Sequence, residues 1–156
     1  MLPQLLTWLE GTRFSLWLVQ SDTIWAYPTV LTLHTVGLAL LVGANIAVDL
    51  RLLGFGRKIP LETFTIAFPV IWAGFWINTI SGAMLFAADA TTKGTTTIFQ
   101  LKLGLIVLGI INIWLLQRAA FGSNLPTITI PARLLAGTSL LIWMIAIALG
   151  RFMAYV

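Results

Sequence analysis

The chain has 156 residues, 59% of them apolar and 9% charged, where a soluble globular chain averages about 45–50% apolar and about 25% charged. Nine Lys/Arg and five Asp/Glu cannot cover a soluble fold, so hydrocarbon surrounds most of the chain, which excludes a soluble enzyme, a disordered chain and a nucleic-acid binder. The formal net charge of +4 comes from scattered basic residues, and the absence of cysteine removes disulfides, thiolate metal sites, Fe–S clusters and a cysteine nucleophile.

The first 20 residues differ from the rest. Leu2, Leu5, Leu6, Leu9, Leu16 and Trp17 recur at helical spacing while Gln4, Glu10 and Arg13 occupy other positions. That pattern predicts a short helix over about residues 2–20 lying in the membrane interface and interrupted at Gly11. A signal peptide is the alternative, but the basic leading segment and the small-residue cleavage site are both missing.

Four stretches then reach the roughly 20 apolar residues that a bilayer crossing requires. They run over about residues 27–53, 65–88, 99–116 and 132–154, each bounded by polar residues or proline. Backbone groups in lipid must be satisfied within their own segment, so these are helices. The connections 54–64, 89–98 and 117–131 are short and force antiparallel neighbours. The expected fold is all-α: an integral membrane four-helix up-down bundle in a single transmembrane domain, with the short interfacial helix in front. Arg51, Arg57, Lys58, Arg118 and Arg133 fall on the side of the first and third loops, against Arg13, Lys93, Lys102 and Arg151 on the other. The positive-inside rule therefore puts those two loops in the cytoplasm and both termini outside.

Ionisable residues inside a span face the bundle interior or water. His34, the one histidine, lies about 10 Å past Tyr27, and Asn45 follows it with a rotation of about 20°, on the same face. The second span brings Asn78, Ser81, Met84 and then Asp89 to the level of His34. The third begins there with Lys102 and carries Asn112 deeper, and the fourth ends there with Arg151. Asp89 is expected to reach Lys102 or Arg151. Each group also has an ordinary structural reading. The histidine and the asparagines would bond helix to helix. The Asp89 charges would form an interfacial ion pair. Asp49 and Arg51 would mark the cytoplasmic end of the first helix. Trp25, Tyr27, Trp114 and Tyr155 fit interfacial belts. Trp72, Trp76 and Trp143 read as packing, and Met84 and Met144 as gap-filling core residues.

The segments LHTVGLALLVGANIAVDLRLLG (33–54), SGAMLFAADA (81–90), FQLKLGL (99–105) and GRFMAY (150–155) carry a resemblance. Together they look like an uncharacterised bacterial family of small four-helix inner-membrane proteins, catalogued as a domain of unknown function. His34, a glycine about nine residues on, a basic residue near the helix end and the Lys-Leu opening the third span are more distantly similar to two other groups. These are the copper-resistance D-type membrane domains and the four-helix membrane proteins that oxidise protoporphyrinogen. The latter resemblance implies a haem role for His34 and a required Lys102. Leu41 and Val42 stand where that motif usually has Trp, and there is no second histidine.

The functional expectation is a bacterial inner-membrane subunit or accessory protein, associated with other membrane subunits or with copies of itself. It would bind haem b for electron transfer through His34, with Lys102 and Arg151 on the propionates. The sixth iron position would fall to Met84, stay open or come from another chain. The alternatives are a cofactor-free anchoring subunit and a copper handler, with His34 as the metal ligand beside Met1, Met84, Met144 and Met153. A channel or pump is disfavoured because all five acids read as lying at or beyond helix ends. A hydrolase lacks any base–nucleophile pair or HExxH motif.

Overall fold

The computed structural model describes residues 2–123 and 126–153. Every regular element among them is helical. The N-terminal arm is two helices, α1 (Leu2–Glu10) and α2 (Arg13–Gln20), broken at Gly11 as expected. Thr12 caps α2, its hydroxyl accepting from the Ser15 amide at 3.3 Å. The arm clasps the bundle: the buried Ser15 hydroxyl donates to the Ala87 carbonyl at 2.6 Å. Glu10 Oε1 accepts from the amide and the hydroxyl of Thr91, both at 2.7 Å. Leu18, Ala26, Val30 and Leu85 form a small apolar core beneath it.

Four helices are long and apolar enough to cross a bilayer. The first, α3 (Tyr27–Leu53), has Pro28 in its first turn, where a missing N–H costs nothing. Gly54 ends it in the left-handed region at φ 108°, and the Phe55 amide bonds back to Leu50 at 2.9 Å. A 3₁₀ turn (Leu61–Ile66) then leads into α4 (Ala67–Ala87). A short helix, α5 (Ala90–Thr95), occupies the expected second loop and precedes α6 (Thr97–Phe121). The third span thus exceeds the expected 99–116 at both ends; Arg118 lies over the Trp114 ring at 3.8 Å and supports its last turns. Thr129 caps α7 (Ile130–Phe152) by accepting from the Ala132 amide. Ala154, the expected end of the fourth span, and Tyr155, expected in an interfacial belt, lie outside the described residues.

The main backbone approaches are α3 with α4, α3 with α7, and α6 with α7. Small residues make them possible. A Cβ on Gly37 would lie 2.6 Å from the Asn78 amide, and one on Gly74 would lie 2.5 Å from the Leu41 amide. These two helices therefore meet backbone to backbone, as small residues allow in lipid. On α7, Ala132, Ala136 and Ser139 form the buried stripe that admits α3 and α6. The fourth side is closed differently. Phe68 meets Phe121 edge-on at 5.0 Å, and Phe86 stacks on Phe99 at 4.9 Å, so aromatic pairs tie α4 to α6 at each end. Outer faces carry exposed Leu101, Val107, Leu108, Leu134, Leu141 and Ile145, the pattern of a lipid-facing surface. Trp143 is core, but Trp76 (59% exposed) and Met144 (66% exposed) point outward, against the packing roles expected of them.

Candidate functional site

His34 and Asn45 both turn inward from α3 but engage different partners, because α3 is sandwiched between α4 and α7. His34 meets α4. Its Nδ1 lies 3.0 Å from the Asn78 carbonyl and 3.2 Å from Ser81 Oγ. The Ser81 hydroxyl is donated to the Ile77 carbonyl at 2.6 Å, so both neighbours of Nδ1 act as acceptors. Nδ1 therefore carries the hydrogen, and Nε2 holds the lone pair. Asn78 reciprocates, donating its amide to the His34 carbonyl at 2.8 Å. Gly82 gives the ring its berth: a Cβ there would lie 3.0 Å from Cε1.

Lys102 is half-buried and lies along Gly150 on α7, whose Cβ would meet Nζ at 3.4 Å. Lys102 and Lys93 are both within electrostatic range of the His34 ring. His34, Lys102 and the C-terminal end of α7, where Arg151 stands exposed, thus share one end of the bundle. Asp89 behaves otherwise. Its carboxylate pairs with Lys93, one turn away in α5, at 3.6 Å. The extra helix in the loop supplies a local cation that counting along the spans did not reveal, and among the described residues Lys102 makes no ion pair with Asp89. Met84 packs against the Leu18–Val30–Leu85 cluster under the arm.

Asn45 meets α7, and the sequence did not reveal what it finds there. One N–H donates to Asp49 Oδ2 at 2.8 Å and the other to Ser139 Oγ at 2.7 Å, in a cluster with Asn45 and Ser139 at 1% and 0% exposure. Asp49 is itself 0% exposed and lies within α3, which corrects its reading as a marker of the helix end and the placement of all acids at or beyond the ends. Arg51 does mark that end: its Nε donates to the Ile59 carbonyl at 2.9 Å. On α6, Asn112 donates to Thr138 Oγ1 at 2.9 Å. Among the described residues, three buried side-chain polar atoms have no hydrogen-bond partner: Asp49 Oδ1, Asn112 Oδ1 and Trp143 Nε1. The one signal available was the four-residue spacing of Asn45 and Asp49, which puts them on one helix face.

Toward a haem, these residues fit one axial nitrogen, the Nε2 left bare by the Nδ1–carbonyl bond, with an ammonium nearby. Met84 is committed to the apolar cluster. No three His, Cys, Asp or Glu among the described residues could jointly hold a metal ion. Met1, counted toward a copper set, lies outside the described residues, and Met144 faces outward. Two surface hollows are lined by other residues. One, of about 650 Å³, lies between the arm and α5 beside Asp22, Asp89 and Lys93; the other, of about 330 Å³, lies on α6 beside Gln100 and Gly104. No protein-family model, curated protein or solved structure matches the chain.

Proposed function

We propose that the chain is a small integral membrane subunit or accessory protein of the bacterial inner membrane, held among other membrane subunits or copies of itself. One observation carries this reading. Hydrogen bonds from His34, Asn78, Asn45 and Asn112 join neighbouring helices across the interior. The bundle is thereby a pre-organised scaffold whose outer faces are free to pack. Blue-native electrophoresis after mild-detergent extraction tests it. A heterogeneous or homo-oligomeric complex supports the reading, and a lone monomer refutes it.

A second reading, haem b ligation for electron transfer, is favoured by the His34 tautomer alone. The Nδ1–H bond to Asn78 leaves Nε2 as the ligating nitrogen, and Lys102 would face a propionate. An optical spectrum of the purified protein decides it, because absence of a Soret band in both redox states removes the cofactor. For orientation, Arg51, Arg57 and Lys58 favour a cytoplasmic first loop.

A further inference from the structure

We propose that Asp49 is a proton-binding site inside the bundle, an acid that exchanges H⁺ with the face where the 54–60 connection and the start of α7 lie. This reading is independent of the subunit reading above and of any cofactor. Asp49 stands four residues before the end of α3, about 6 Å along the axis, yet its side chain is fully buried. An ionisable group at that depth marks function unless it is paired. Asp49 has no ionic partner among the described residues.

The charged groups around it are engaged or turned elsewhere. Arg51, on the same helix, donates its Nε to the Ile59 carbonyl. Arg118 of α6 lies over Trp114. Arg133 of α7 and Glu62 of the 3₁₀ turn are exposed. Residues 67–87, the whole of α4, include no Asp, Glu, His, Lys or Arg. An unpaired carboxylate in such surroundings bears a desolvation penalty that no cation offsets. The neutral acid avoids it.

The hydrogen-bond pattern selects a proton over a metal cation. Asn45 aims both of its N–H groups into the cluster, at Asp49 Oδ2 and at Ser139 Oγ. A hard cation needs converging oxygens, and here donors converge instead. The Asn45 amide thus serves Oδ2, and Oδ1 is left as an acceptor with no partner at zero exposure. A proton on Oδ1 removes the buried charge that no cation offsets. On release, the O–H bond breaks, its electron pair stays on Oδ1, and the proton passes to solvent at the nearer face. No redox partner is needed.

Infrared spectroscopy of the full chain in lipid vesicles tests this directly. The chain has three aspartates, Asp22, Asp49 and Asp89. In a D22N/D89N double variant, ¹³C-carboxyl aspartate labelling therefore reports on Asp49 alone. The expected result at neutral pH is a carbonyl-stretch band of a protonated acid that moves with the label and shifts in D₂O. It should also convert to carboxylate bands as the pH is raised. Carboxylate bands alone at neutral pH would overturn the proposal. So would an acid band that neither shifts in D₂O nor converts at alkaline pH, since that proton would be locked in place. Asp49→Asn should lack the band, and its failure to fold would leave the labelled double variant to decide.

Discussion

Gly37→Ala tests the close α3–α4 contact on which the geometry of His34 depends. The added Cβ would lie 2.6 Å from the Asn78 amide nitrogen and 3.0 Å from its Cα, both backbone atoms that cannot swing aside. Helix α4 must move away, and overpacking of this kind costs about 1–3 kcal/mol. The displacement also strains the paired bonds between His34 and Asn78, at 3.0 and 2.8 Å. Interhelical polar contacts in bilayers average about 0.6 kcal/mol each. Alanine returns about 1 kcal/mol of helix propensity. The expected net loss is about 1–3 kcal/mol. Gly43→Ala is the matched control on the same helix, because a Cβ there meets nothing within 4 Å. It should be neutral or stabilising by up to about 1 kcal/mol. Far-UV circular dichroism during reversible unfolding of micelle-solubilised protein measures both variants. If Gly37→Ala proves as stable as Gly43→Ala, the helices do not meet backbone to backbone and the reasoning fails.

Three further outcomes follow from other contacts. His34→Ala should remain folded but lose about 0.6–2 kcal/mol in the same unfolding measurement, since it deletes a bond between helices; Ser81→Ala should cost less, because its hydroxyl returns to Ile77 within α4. Glu10→Ala removes the acceptor of both Thr91 bonds, so hydrogen exchange and protease cutting should rise across residues 2–20 while α3, α4, α6 and α7 stay protected. Because the chain contains no cysteine, Lys58→Cys and Thr92→Cys each introduce a single label site; in intact cells a membrane-impermeant maleimide should modify the second and spare the first, and the opposite result reverses the orientation.

The four spans were legible because a bilayer imposes a length and a polarity that composition alone reveals. Their ends were less so. Residues 117–121 read as loop on account of Gln117 and Arg118, but a long cationic side chain lying over Trp114 lets α6 continue to Phe121. The same limit explains Asp89. Depth along each span groups His34, Lys102 and the end of α7, but α5 provided Lys93 as the partner of Asp89. Likewise the spacing puts His34 and Asn45 on one face, but a face about 20° wide can address two helices once α3 lies between them.

Asp49 shows most clearly what periodicity leaves out. Counting from Leu53 gives its axial position, and by that measure alone it belongs to the headgroup side of the span. Burial is decided by what covers that turn. On one flank α7 presents Ala132, Ala136 and Ser139, all at 0% exposure, which bring its backbone close. Over the end of α3, the 3₁₀ turn and the start of α4 supply Leu61 and Phe68 to the same core as Leu52. Arg51, the neighbour that would ordinarily neutralise an acid at a helix end, is engaged by the Ile59 carbonyl of the connecting loop. The acid is covered by small residues on a helix remote in sequence and by the turn that follows its own. Its partner Asn45 is held by Ser139, 94 positions away. Polar side chains that read singly as fasteners between helices therefore combine, through contacts set by alanine and serine spacing on α7, into a carboxyl centre with no ionic partner among the described residues.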